Sequence, residues 1–333
     1  MKFGLRLIGY VGTSRELVRL AKLAEDAGFD SVWFPHDTFM HNTWVLTTAA
    51  AEATSRIRIA TVGTNPFTTN PCEVATYAAT LDDLSRGRFI LSLGLHTEKM
   101  VEWTGIDASA YMQCTREAVA IVKALLRGET VAYDGDHFNW TDQCYLRMPV
   151  LREDLPIYVS AFGNEYLALS GEIGDGSLPM ITPPESAEYM VSNIRDGLKR
   201  AGRDGSDFVI SGCAWLSLSE SRQQAADVMR KMVAYFGPYL EEPALNSIGL
   251  STDDMRPLGK LIAGGNYEEA WRLVTGDMIR LGITGTPGDV IEQVERLAAI
   301  GIDEISLGGP LGPDPEKAIA LLGEQVIPYF HCS

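Results

Sequence analysis

The chain has 333 residues, with 28 basic and 44 acidic side chains and a formal charge of −16, a length that suits two domains or one α/β barrel with insertions. Its 46% hydrophobic and 22% charged residues are enough to bury a large core, which excludes disordered and collagen-like chains. The acidic balance excludes a nucleic-acid-binding stripe, and no apolar run reaches the roughly 18 residues of a membrane span. Five singly placed cysteines, Cys72, Cys114, Cys144, Cys213 and Cys332, match neither a disulfide framework nor a zinc site. A cytoplasmic protein with reduced thiols is expected, with no nucleic-acid or membrane partner.

In chain order, Phe3 to Ile8 is a short apolar run broken by Arg6. Thr13 and Glu16 form a capping box, Leu17, Leu20, Ala21, Ala24 and Ala27 follow at helical spacing, and Gly28 supplies the stop. Strands are expected at Ser31–Phe34, Ile57–Val62, Arg88–Leu93, Ile157–Ala161, Ser177–Ile181, Phe208–Leu216 and Glu304–Leu307. Helices are expected between them, at Val45–Ala53, Glu73–Leu84, Ala187–Arg200 and Val290–Ala299 among others. The strands are continuous apolar runs, the pattern of a parallel sheet covered on both faces. Two stretches break the rhythm: a turn-rich segment from about 128 to 154 and a mostly helical one from about 238 to 285. One junction repeats, at Ala27-Gly28-Phe29-Asp30-Ser31-Val32 and Ile300-Gly301-Ile302-Asp303-Glu304-Ile305. A single (β/α)₈ TIM barrel over residues 1–333, with those two insertions, accounts for the pattern better than two domains. The open doubly wound sheet is the competitor, but no G-x-G-x-x-G follows the first strand.

A barrel of this kind places its active site at the C-terminal ends of its strands. His36 and Asp37, after the second strand, offer donors and acceptors for orienting a polar ring or relaying a proton; the alternative is a strand-end histidine satisfied by its neighbours. His96 with Glu98 is a similar pair after the fourth strand. Gly163 opens a helix after the fifth strand, where free backbone N–H groups suit a phosphate, although glycine there also serves as punctuation. Trp33, Trp44 and Trp103 are core aromatics or walls for a flat ring, with Trp44 the one favoured for function. His41, His137 and His331 read as surface residues, and the cysteines as small buried hydrophobes. No metal-ligand spacing, G-x-S-x-G or P-loop is present.

The segments Ser31-Val-Trp-Phe-Pro-His-Asp37, Thr64-Asn-Pro-Phe67, Ala79-Thr-Leu-Asp-Asp-Leu-Ser-Arg-Gly-Arg88, Pro156-Ile-Tyr-Val159, Gly171-Glu-Ile-Gly-Asp-Gly176 and Gly285-Thr-Pro-Gly-Asp-Val290 resemble the bacterial luciferase-like family of flavin and deazaflavin oxidoreductases. Met1 to Gly4 and Gly312 to Glu324 resemble the termini of its coenzyme F420-dependent methylenetetrahydromethanopterin reductases. The resemblance covers essentially the whole chain. It implies a barrel whose strand ends hold a flat tricyclic ring, coenzyme F420 or, alternatively, FMN. It also implies a non-prolyl cis peptide at Val62–Gly63 behind that ring. Val62, Gly63, Thr64, Gly94, His96, Ala161, Phe162, Gly163, Gly176 and Ser177 would then contact the cofactor, the last three holding its phosphate. His36, Asp37 and Arg6 would line the reaction site.

Two positions depart from the family pattern: the usual Asp-His order appears as His36-Asp37, one position earlier, and the reductases' acidic residue at position six is Arg6. A permanent cation cannot repeat a carboxylate's proton chemistry. The expected activity is hydride transfer between the deazaflavin C5 and a substrate carbon. A flavin-dependent monooxygenase and a non-catalytic cofactor-binding relative are the alternatives. The expected partners are a tetrahydropterin- or folate-like small molecule and further copies of the chain.

Overall fold

The computed structural model describes residues 1–9, 11–94, 101–179, 184–240 and 242–331. Eight parallel strands form its centre: β1 (Lys2–Arg6), β2 (Ser31–Pro35), β3 (Arg58–Val62), β4 (Phe89–Leu93), β5 (Ile157–Ala161), β6 (Gly176–Pro179), β7 (Val209–Leu218) and β8 (Glu304–Leu311). Each pairs with the next, β8 with β1, and the β6–β7 pairing completes the closed barrel. A short strand, Ile283–Gly285, extends the sheet along the far half of β7. Helices pack outside, and no described helix is long and apolar enough to cross a membrane.

Strand alternation sorts the side chains. On β1, Phe3 and Leu5 join the layer between barrel and helices, while Gly4 and Arg6 face inward. A Cβ at Gly4 would come within 2.6 Å of the Trp33 indole nitrogen. The barrel interior is filled by Trp33, Ala60, Val62, Ile90, Tyr158, Leu178 and Cys213. Trp33 is therefore core.

The first helix, Ser14–Asp26, starts at the expected Thr13–Glu16 capping box, and Gly28 follows its end at φ +87°. The repeated glycine–aspartate junction also has a physical basis. Asp30 Oδ2 accepts the Phe3 N–H at 2.8 Å, and Asp303 Oδ2 accepts the Ile210 N–H at 2.9 Å. Asp175 Oδ2 does the same for Ile157 N–H at 3.0 Å. Each aspartate ties the start of its own strand to a neighbouring one, at the N-terminal end of the barrel. Glu304 closes that end: fully buried, it accepts from Ser31, from Trp33 Nε1 at 3.3 Å and from Arg58 Nη2 at 3.0 Å.

The segment from 128 to 154 carries a small hairpin, Tyr133–Asp134 with Asn139–Trp140. It is anchored by the buried carboxylate of Glu117, which accepts the backbone N–H groups of Asp136, His137 and Phe138. Four helices, Glu242–Asn246, Thr252–Ala263, Tyr267–Leu273 and Gly276–Ile279, occupy the second stretch. They share an apolar cluster with Trp215 and the helix Arg222–Phe236, apart from the main core.

Several boundaries shift. β7 and β8 run on to Leu218 and Leu311, the latter through an irregularity between Gly308 and Leu311. β6 begins at Gly176, one residue before the expected strand start at Ser177, so both residues implied to hold the phosphate open a strand. Cys114 and Cys213 are buried as expected, but Cys72 is exposed and Cys144 half-buried; all four are free thiols. Cys332 lies outside the described residues.

Candidate active site

The C-terminal rim gathers Arg6 from β1, His36 and Asp37 after β2, and Val62 to Asn65 after β3. His36 N–H donates to Val62 O, and Asn65 N–H donates to His36 Nδ1 at 3.2 Å. The neutral ring therefore carries its proton on Nε2. Burial lowers the His36 pKa to about 4, so at neutral pH the imidazole is an uncharged hydrogen-bond donor. Burial raises the Asp37 carboxyl, against the opposing pull of the Arg6 charge. His36 and Asp37 line an open cleft of about 560 Å³ together with His41, Trp44, Asn70 and Tyr77. Among the described residues, no group of His, Cys, Asp or Glu is placed to hold a metal ion.

Arg6 is 2% exposed. Its Nη2 donates to Ala214 O at 3.2 Å, while Nε and Nη1 have no hydrogen-bond partner. The side chain lies over Gly308, where a Cβ would come within 2.5 Å of Nε. Bare backbone at 308 is what gives the guanidinium its seat.

The end of β3 turns without a cis bond. Among the described residues the cis peptide is Gly309–Pro310, and Gly63 instead takes φ +60°. That left-handed conformation, open to glycine, reverses the chain so that Thr64 N–H reaches Ser92 O at 2.7 Å. The expectation at Val62–Gly63 is thus corrected: glycine's freedom makes the turn. Val62 and Thr64 are buried. Gly94 packs its Cα side against β5, where a Cβ would meet Ser160 O at 2.4 Å. Ser92 and Ser160 share a hydrogen bond of 2.7 Å beside it.

After β5, Ala161 is buried and Phe162 stacks on Tyr111 with ring centroids 5.8 Å apart. Gly163, at φ +67° and ψ 160°, precedes the helix Asn164–Ile173, and no side chain caps it. Its first N–H groups are left for a ligand or water. Gly176 and Ser177 do not join them. They stand at the N-terminal end of β6, where a Cβ on Gly176 would meet the Tyr158 ring at 2.7 Å and Ser177 Oγ accepts from Ser170 Oγ at 2.8 Å. Strand direction puts them at the opposite end of the barrel from His36. His96, with Glu98, lies outside the described residues.

Trp44 packs against Tyr77, centroids 4.8 Å apart, and Phe89, with its edge on the cleft. Trp103 is exposed and stacks on Phe39. His41, expected at the surface, is half-buried in the same cleft wall, with Nδ1 3.1 Å from Ser14 Oγ. Sequence reasoning places Asn65, Ser160 and Gly308 at strand ends without giving them a role, and misses Ser92. For Asn65 the signal lies in Thr64-Asn-Pro-Phe67; for Gly308, in the glycine pair Gly308-Gly309 within β8.

These features coincide with extensive similarity to known proteins. The chain is 32% identical to 5,10-methylenetetrahydromethanopterin reductase of Archaeoglobus fulgidus, covering 98% of this chain and 99% of that one. It is 27% identical to the F420-dependent glucose-6-phosphate dehydrogenase of Intrasporangium calvum, covering 94% of each. The structure superposes on coenzyme F420-dependent tetrahydromethanopterin reductase of Methanopyrus kandleri with a TM-score of 0.92, at 28% identity and 99% coverage of both chains. Residues 2–304 match the family model of the luciferase-like monooxygenases. With the closed barrel and the rim in place, the chain belongs to the luciferase-like monooxygenase family.

Proposed function

We propose that this protein is a coenzyme F420-dependent oxidoreductase that moves hydride between the cofactor and a small-molecule substrate. The observation that carries this is end-to-end likeness, in backbone to the Methanopyrus kandleri reductase and in sequence to the Intrasporangium calvum dehydrogenase, both of whose names specify that cofactor. The residues present fit the group. The uncapped helix start behind Gly163 offers N–H groups and a dipole for its phosphate, and Gly63 lets backbone approach a flat ring at the end of β3. Bound there, coenzyme F420 would supply the hydride carrier at its C5.

The chain's own residues then have defined tasks. His36, held by the Asn65 N–H, presents Nε2–H to a polar edge of ligand. Asp37 exchanges protons at the open side of the cleft, helped by a carboxyl that burial has raised. Arg6 holds positive charge at the inner side. A tetrahydropterin substrate follows the named reductases, but the two relatives above act on different molecules and position six is cationic here.

Titrating the purified protein with coenzyme F420 and with FMN, and reading the quenching of each cofactor's fluorescence, tests the assignment. Saturable binding of F420 and none of FMN is expected. The reverse would make the protein a flavin enzyme, and F420 binding with no hydride transfer to any substrate would make it a binding protein. Gly163→Val is expected to weaken F420 binding at least tenfold. Gly163 occupies an essentially glycine-only region, so a side chain would rebuild the turn at a cost of about 1–3 kcal/mol. Unchanged affinity in that variant would remove the phosphate from this helix.

A further inference from the structure

We infer that Arg6 is the seat of a carboxylate, carried by the substrate close to the carbon that exchanges hydride. The inference builds on the proposed hydride-transfer site and names the class of molecule that it accepts. Guanidinium groups keep their charge inside proteins, and burying one without a counter-charge is expensive. Arg6 nevertheless ends β1 almost wholly buried, with two nitrogens unpartnered. No carboxylate forms an ion pair with it among the described residues, and Asp37 acts on it only through space.

The other arginines of the barrel show what this chain does when an arginine is structural. Arg88 makes five hydrogen bonds, to Ser85 O, Thr54 Oγ1, Ile57 O, Ala51 O and Thr54 O. Arg152 grips Asp82 through both Nε and Nη2, and Arg58 meets Glu304. Arg6 differs from all three in being the most buried and the least satisfied. It also ends β1 at the C-terminal rim, near enough for Asp37, which lines the cleft, to feel its charge, and Gly308 has given up its side chain to seat it. A barrel-closing role would call for a counter-charge, and among the described residues no carboxylate is bonded to it; its hydrogen bond goes to the neutral Ala214 O. A substrate carboxylate would supply both the counter-charge and acceptors for the unused N–H groups. A cationic reacting group, such as an iminium, would be repelled.

The test titrates acetate, and acetamide as its neutral twin, into the protein without cofactor at constant ionic strength, reading the thermal unfolding midpoint and heats of binding. Acetate should raise the midpoint saturably and acetamide should not. Arg6→Met should bind acetate at least tenfold more weakly while unfolding no earlier than the native chain, since it removes an uncompensated charge. Gly308→Ala, which displaces the guanidinium but keeps its charge, should also weaken acetate binding. Equal effects of acetate and acetamide, undiminished acetate binding in both variants, or early unfolding of Arg6→Met with acetate binding intact in Gly308→Ala would each overturn the inference. F420 quenching is measured on the same samples. If the native chain fails to bind F420 but binds acetate through Arg6, the cofactor reading fails and the carboxylate seat stands.

Discussion

Replacing Arg58 by methionine is expected to destabilise the fold by about 3–5 kcal/mol, the usual effect of stranding one member of a buried ion pair. Glu304 is fully buried at the N-terminal end of the barrel, and Arg58 Nη2 is the cation it faces, 3.0 Å away. Ser31 and Trp33 also donate to it, but neutral donors cannot offset a full charge in so dry a place. Burial, and secondarily the Glu304 charge, push the nearby Tyr158 hydroxyl above its usual range. Urea unfolding at pH 7 measures the loss. Adding Glu304→Gln to Arg58→Met should restore part of it, because the charge leaves while an acceptor for Ser31 and Trp33 stays. A single-variant loss below about 1 kcal/mol would mean that the carboxylate is solvated after all.

The second large effect is acid sensitivity set by His36. Its pKa falls from 6.5 to about 4 on folding because burial penalises the charged ring. A lowered folded-state pKa means that the unfolded chain binds the extra proton first. The stability held above pH 6.5 is therefore lost as pH drops towards 4, by up to about 3 kcal/mol. Asp37, whose carboxyl burial raises, works in the opposite sense. Urea midpoints at pH 7, 6 and 5 should fall for the native chain and fall less for His36→Gln, which keeps an amide near Asn65 without the proton. Parallel curves for the two proteins would place His36 in contact with water.

Much of the fold was legible because the signals were local. The Thr13–Glu16 box, the Gly28 stop and the helix Ala187–Arg200 stand where spacing predicted them. The strands were legible, Ile157–Ala161 to the residue, but the far ends of β7 and β8 were not. β7 runs past Leu216 because Ile283–Gly285 pairs with its far half, a contact between residues about 67 positions apart that no window of sequence contains. Gly176 and Ser177 take a phosphate role only from the family resemblance. In the barrel Gly176 is small because the Tyr158 ring and Val209 O press on it. The same residue type serves a turn at Gly163, a close approach at Gly176 and a seat for another side chain at Gly308, and only packing distinguishes them. His36, Asp37 and Arg6 could be nominated from strand ends. That Arg6 goes unpaired could not, since the absence of a partner is a property of the whole neighbourhood.

The aspartate ties at Asp30, Asp175 and Asp303 bear on how this protein can change over time. They lace neighbouring strands together at one end of the barrel, through side chain and backbone, on the side away from His36 and Arg6. Reactivity and rigidity thus sit on separate residues about one strand length apart. A lineage could exchange the amino acids at positions 6, 37 and 308 while the lacing goes on holding the barrel shut. New substrates become reachable in single steps that leave the scaffold intact.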